Sequence, residues 1–96
     1  FGEIEDEHDS SDLIEKEIEK NHFLLSGRHE IDYLNEKYFL GIPVSDEYDT
    51  LAGYILYHLE SIPEKESILQ IDNFLIVITD VSSNRIEEAE LKVIRS

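Results

Sequence analysis

The sequence predicts an α+β domain, a two-layer sandwich of order ββααβββ in which two helices cover one face of a mostly antiparallel sheet. Three observations carry that expectation. Two apolar patterns with helical spacing, Ile31-Leu34-Tyr38 and Leu51-Ile55-Leu59-Ile62, lie side by side in the middle of the chain. Runs with a period of two stand before and after them. The polar pairs Lys20-Asn21 and Asp72-Asn73 fall where hairpins need tight turns.

Taken in order, Phe1 to Asp12 is an acidic leader too poor in apolar residues to bury much. Residues 1–12 therefore read as a solvated linker and residues 13–96 as the folded domain. Within the leader, Asp6, His8 and Asp9 are compatible with a loosely held hard or borderline cation. They lack the glycine and the ligand alternation of an EF-hand loop. From Leu13 onward two patterns compete. Ile14 and Ile18 fit a helix, with Asp12 and Glu15 as a capping box, but Ile14-Glu15-Lys16-Glu17-Ile18-Glu19 also alternates. Lys20-Asn21 and the apolar run His22–Ser26, ending at Gly27, favour a hairpin of Ile14–Glu19 with His22–Ser26.

Glu30–Tyr38 reads as a short helix ended by Gly41, and Ile42-Pro43-Val44 as an extended connection. The central helix follows, with Asp49 or Thr50 as its cap and Pro63 as its stop. Gly53 inside it costs roughly 1 kcal/mol relative to Ala, so a close approach of another element is expected there. Beyond Pro63, Ser67–Ile71 and Phe74–Val81 form a hairpin. The second of these is apolar on both faces and so is expected to be an interior strand. Ser82-Ser83-Asn84 turns the chain into a last strand. Ile86 and Ala89 are out of phase by one there, which predicts a bulge near Glu87-Glu88.

Composition narrows the function. Ninety-six residues make one domain with a single core. The lack of cysteine excludes disulfides, thiolate metal sites and cysteine nucleophiles. No methionine occurs even at position 1, so the chain reads as a segment of something longer, and no stretch is long enough to span a bilayer. A formal charge of −15, with nine acids against two bases in the first 20 residues, disfavours nucleic acid and anionic lipid as partners.

No catalytic pattern stands out. There is no nucleophile elbow, P-loop or dinucleotide fingerprint. His29-Glu30 begins like a zinc-protease motif, but Tyr33 occupies the second ligand position. The carboxylate pairs Asp46-Glu47 and Glu87-Glu88 lie outside apolar runs, where neither member would be held as an acid. His58 reads as a boundary residue of the central helix. Tyr38, Phe39, Tyr48, Tyr54 and Tyr57 read as core or interface filling rather than base-stacking platforms.

Several spaced segments carry a family resemblance. The acidic run Phe1–Asp9, the segment Phe23-Leu24-Leu25-Ser26-Gly27-Arg28, and Ile31-Asp32-Tyr33-Leu34-Asn35 resemble CorC/HlyC-type transporter-associated domains. So do Asp49-Thr50-Leu51-Ala52-Gly53 with Ile62-Pro63 beyond it, and the closing strands Phe74–Val81 and Arg85–Val93. One departure is visible. The family often has a glycine shortly after the proline, where this chain has Glu64-Lys65-Glu66-Ser67.

The resemblance implies the C-terminal, cytosolic module of a membrane protein carrying a pair of CBS regulatory domains, at the cytoplasmic face of the inner membrane. Relatives are linked to magnesium and cobalt efflux, and some carry haemolysin or gliding-motility labels. The implied fold is similar to that of FAD-binding oxidoreductases, but no flavin, other cofactor or catalytic residue is implied. The expected role is a non-catalytic accessory domain that modulates ion transport by contact with the CBS and membrane domains of its own chain, or with a second copy as a homodimer. Gly27, Leu34, Asp49, Thr50, Leu51, Gly53, Ile55 and Pro63 are expected to hold the fold. The alternatives are a direct divalent-cation sensor and a small-ligand, nucleotide-like sensing module.

Overall fold

A computed structural model of the chain describes residues 13–94. The leader, with Asp6, His8 and Asp9, lies outside the described residues. Five strands form one sheet: β1 (Glu15–Glu19), β2 (His22–Ser26), β3 (Ile68–Ile71), β4 (Phe74–Ser82) and β5 (Arg85–Val93). Their spatial order is β1-β2-β5-β4-β3, and every neighbouring pair is antiparallel. Two helices, α1 (Ile31–Tyr38) and α2 (Leu51–Leu59), lie between β2 and β3 in sequence. The predicted ββααβββ sandwich is the observed one.

Register explains the core. Phe23, Leu91 and Ile76 stand opposite one another on β2, β5 and β4, and the next row is Leu25, Ala89 and Ile78. A third row joins Val93, Phe74 and Ile71. All nine are buried and share one face, because directly paired residues point the same way. Ile31 and Leu34 of α1 and Leu51, Tyr54 and Ile55 of α2 close over that face. The helices divide it. Tyr38 of α1 packs on Phe23 of β2, with ring centroids 4.6 Å apart, and Tyr54 of α2 meets Phe74 of β4 edge-on.

Turn chemistry follows side-chain size and backbone strain. Asn21 and Asp72 adopt φ of 65° and 53° in the two tight hairpins, the left-handed conformation that Asn and Asp tolerate better than most residues. The β4–β5 ladder slips twice. Thr79 is the extra residue on β4 and Glu87 the extra residue on β5, so the second slip restores what the first displaced. The expected bulge is at Glu87, and it lets Ile86 and Ala89 both point inward. The one on β4 leaves no mark in a strand apolar on both faces. β4 is interior as expected, while β5 takes the middle position.

Several boundaries differ from expectation. α1 is closed by Phe39 rather than Gly41. Phe39 has φ 55°, and its N–H donates to the Asn35 carbonyl. α2 stops at Leu59, capped by left-handed Glu60 at φ 69°, so Ile62 and Pro63 lie beyond it. Tyr54, three residues on from Leu51, is buried beside it, while Leu59 and Ile62 are half-buried. Phe39 and Tyr57, expected as core or interface filling, are exposed. Lastly, β1, α1 and β3 each begin one residue later than expected, at Glu15, Ile31 and Ile68, and β4 runs one residue further, to Ser82.

Candidate functional site

The best-organised region lies where β2, β5 and the start of α2 converge on Gly27. Its N–H donates to the Glu87 carbonyl at 3.0 Å, and its own carbonyl accepts from Ala52 N–H at 2.9 Å. A Cβ at this position would sit 2.5 Å from the Ile86 carbonyl oxygen and 2.9 Å from Ala52 Cβ. Only glycine lets the three backbones approach this closely. Next along the chain, the His29 carbonyl accepts from Leu51 N–H at 2.9 Å, and Ile31 N–H donates to the Asp49 carbonyl at 2.8 Å. Residues 27–31 and 49–52 are thereby laced together by backbone bonds.

Thr50 is the cap of α2, its Oγ1 accepting from Gly53 N–H at 3.1 Å. A hydroxyl at that position satisfies a donor that the first helical turn leaves free. Gly53 itself is approached by Tyr48 Cβ and Thr50 Oγ1, at 3.1 and 3.3 Å from where its own Cβ would lie. The close neighbour is thus the loop entering the helix, whereas the crossing of separate elements occurs at Gly27. Asn35 holds the connection between the helices. Its amide donates to the Ile42 carbonyl at 2.9 Å and accepts from Ile42 N–H at 2.8 Å, a side-chain copy of a strand pairing.

Glu15 on edge strand β1 points to the helical face and is gripped by α1. Tyr38 and Lys37 donate to its Oε2 at 2.6 Å each, and Tyr33 donates to Oε1 at 2.7 Å. Burial alone would raise its pKa, but the bonds from Lys37, Tyr38 and Tyr33 outweigh it and hold the carboxyl at about 2. Tyr38 is pushed up to about 12, by burial first and then by the Glu15 bond. The Lys37 ammonium is raised, chiefly by its bond to Glu15. On the other side of the layer, burial raises the Tyr54 hydroxyl strongly, helped by its 2.6 Å bond to Asp72 Oδ2. Tyr54 and Tyr57 both pack against Tyr48 and His58 in a small aromatic cluster.

Open clefts adjoin this frame among the described residues. One of about 420 Å³ is lined by Glu30, Asp32, Asp46 and Asp49 together with Ile31, Val44, Ser45 and Tyr48. Its carboxylates share a cleft, yet among the described residues no three His, Asp or Glu side chains are placed to hold a metal ion. The cleft is strongly electronegative and draws cations towards it. A second cleft, about 400 Å³, runs between His58 and Leu59 of α2 and the β3 segment Leu69–Asp72. The third, about 390 Å³, adjoins Gly27 and carries Arg28 and Arg85.

The residues singled out in the sequence fall mostly around the junction. Gly27, Thr50 and Gly53 have the contacts given above. Leu34, Leu51 and Ile55 are buried in the core, and Asp49 contributes its backbone to the junction and its carboxylate to the acidic cleft. Pro63 lies apart, in the segment between α2 and β3. Glu15, Asn35, Arg28 and Arg85 were not among the residues expected to hold the fold, whereas Tyr54, expected as core or interface filling, is buried. The partners of Glu15 lie 18 to 23 residues away, and only the Leu34-Asn35 pair left a local trace.

A five-stranded antiparallel sheet with two helices on one face, pinned at a glycine junction, defines a two-layer α+β domain, the fold of an Enterococcus faecalis hemolysin domain that superposes with a TM-score of 0.72. The sequence model of the CorC_HlyC family, described as a transporter associated domain, matches residues 16–95, and the chain belongs to that family. A protein of Rickettsia canadensis described as "possible hemolysin C" is 29% identical over 96 residues, covering 96% of this chain and 32% of its own length. A conserved Haemophilus influenzae protein of unknown function has a crystal structure that superposes with a TM-score of 0.71 at 32% identity, covering 76% of this chain and 89% of that one. A CorC_HlyC domain of a Xylella fastidiosa hemolysin, solved in complex with Mg²⁺ and Mn²⁺, gives a TM-score of 0.68 at 27% identity, covering 85% and 99%. The chain spans about a third or less of the length of the curated relatives it matches. No helix among the described residues is long and apolar enough to cross a membrane.

Proposed function

We propose that this domain is a non-catalytic accessory module that modulates divalent-cation transport, of Mg²⁺ or Co²⁺, by a larger membrane protein. It would work at the cytoplasmic face of the inner membrane through contacts with the CBS and membrane domains of its own chain, and with a second copy. The observation that carries the reading is the match of residues 16–95 to a transporter-associated family. The bonded junction at Gly27 and Thr50 supports it, since a rigid frame can transmit a contact made on one side to the other. The decisive experiment is divalent-cation flux through the parent protein in vesicles, with and without these 96 residues. A changed rate or ion dependence is the expected result. Unchanged flux at normal expression overturns it.

A second reading is favoured by the acidic cleft around Glu30, Asp32, Asp46 and Asp49, and by the Mg²⁺ and Mn²⁺ bound to the Xylella domain. Here the domain senses the cation directly. Calorimetric titration with Mg²⁺, Mn²⁺ and Co²⁺ separates the two, because a sensor binds stoichiometrically and diffuse attraction gives heats that do not saturate. A thermal-shift screen with nucleotides tests the remaining small-ligand reading, in which stabilisation follows ligand concentration.

A further inference from the structure

The chain holds 23 acidic and eight basic residues, yet none of the residues lining the cleft beside Gly27 is acidic. Arg28 and Arg85, the two arginines among the described residues, stand on it with Gly27, Ala52, Leu56 and Ile86. The floor is apolar and both arginines are exposed, Arg85 meeting Glu87 Oε2 at 4.0 Å among the described residues. The nearby helix start adds little charge, because Leu51, Ala52 and Gly53 N–H are already bonded to His29, Gly27 and Thr50. An apolar cleft flanked by two guanidinium groups suits a peptide that alternates carboxylates with apolar side chains.

Such a peptide is attached to the domain. Residues 1–12 carry six carboxylates, at Glu3, Glu5, Asp6, Glu7, Asp9 and Asp12, with no lysine or arginine and with two large apolar residues, Phe1 and Ile4. The chain enters the described structure beside the cleft. The Ile14 carbonyl accepts from Ser26 N–H at 2.8 Å and from His29 Nε2 at 2.9 Å, on either side of Gly27 and Arg28. Twelve residues reach up to about 40 Å when extended, more than enough to cross the cleft. A tethered segment also meets its site at an effective concentration of order millimolar, so a contact too weak to hold between molecules is populated within one.

We propose that the acidic leader, residues 1–12, docks in the cleft formed by Gly27, Ala52, Leu56 and Ile86, with its carboxylates against Arg28 and Arg85. Docking there fixes the direction in which the chain leaves the domain. The proposal is independent of whether the domain modulates transport, because it is read on the 96-residue chain alone.

The absence of cysteine allows one spin label to be placed through Gly2→Cys, at the far end of the leader from Leu13. Amide signals of Gly53, Leu56 and Ile86 should lose about half or more of their intensity at low salt, with Asn73 at the opposite end of β4 as the unaffected reference. The loss should disappear in about 0.5 M salt, and in the R28E/R85E variant, whose exposed substitutions keep the fold and its signal dispersion. A loss that is the same in R28E/R85E reports only the nearness of a tether and overturns the proposal. So does full intensity at Leu56 and Ile86 in the unsubstituted cleft.

Discussion

Gly27→Ala adds one methyl group at the junction, and the structure sets its cost. The new carbon would lie 2.5 Å from the Ile86 carbonyl oxygen and 2.9 Å from Ala52 Cβ. Neither is the free end of a flexible side chain. One is backbone of β5 and the other is fixed to the first turn of α2, so strand and helix must part. Overpacking of this kind costs about 1–3 kcal/mol. The separation also strains two backbone bonds, Gly27 N–H to Glu87 and Ala52 N–H to Gly27, each worth about 1 kcal/mol. A total near 3 kcal/mol is expected, or a fall in melting temperature of roughly 12–24 °C for a domain of this size.

Urea denaturation with an unchanged slope is the assay, because a constant slope assigns the shift to stability rather than to a different unfolded state. Gly53→Ala is the internal comparison. Its methyl meets Tyr48 Cβ and Thr50 Oγ1 at 3.1 and 3.3 Å, a crowding of a few tenths of an ångström. Helix propensity returns about 1 kcal/mol, so the net change should lie within about 1 kcal/mol of zero. If Gly27→Ala costs less than Gly53→Ala, the assignment of the close crossing to Gly27 is wrong.

Other substitutions probe the remaining contacts. Glu15→Gln should cost about 1–2 kcal/mol at neutral pH, discounted because Lys37 is half exposed. The folded carboxyl is held at about 2 against an ordinary 4.5, so its contribution is complete above pH 4.5 and fades as pH falls towards 2. Acid titration of the two proteins should therefore bring them together as pH falls through that window, and a difference undiminished at pH 2 refutes the latch. Tyr54→Phe removes the bond to Asp72 while keeping the ring. Because Asp72 is exposed and regains water, denaturant titration should read a loss of about 1 kcal/mol. Glu66, in the segment between α2 and β3, holds φ 70°. Glu66→Gly relieves about 1–2 kcal/mol of backbone strain against a smaller entropic loss, so a stability gain of roughly 0.5 kcal/mol is expected in the same assay.

The elements were legible because each announces itself locally. The alternation at Ile14–Glu19, the i, i+4 pairs of α2 and the phase slip at Ile86–Ala89 involve residues near one another in sequence. The close approach was misplaced for the same reason. A glycine inside a helix is conspicuous, so Gly53 drew notice as the crossing point, whereas Gly27 after a strand resembles any turn glycine. Its constraint comes from Ala52 and Ile86, far along the chain. Glu15 is the sharper case. Alternation shows that it shares a face with Glu17, but not that Tyr33, Lys37 and Tyr38 on α1 present three donors to it. The helix ends failed for a different reason, because Phe39 and Glu60 take the left-handed cap that glycine usually fills.

The edges of the sheet narrow the ways in which the domain can meet its surroundings. β1 turns Glu15 and Glu17 to the helical side, and its register with β2 slips between Glu17 and Glu19. Inward charge and an irregular ladder both obstruct pairing with an incoming strand. β3, at the opposite edge, is four residues long and follows the left-handed turn at Glu66, which leaves little regular backbone to extend. Strand addition is therefore disfavoured at both ends. The outer face of the sheet interleaves Leu24, Leu75 and Val77 with Glu90, Lys92 and His22, a mixed surface that needs no cover. What remains distinctive is the end of the molecule where Gly27, the start of α2 and the two arginines meet. The backbone bonds joining β2, β5 and α2 lie directly beside that cleft, so a segment bound there would bear on the frame of the domain.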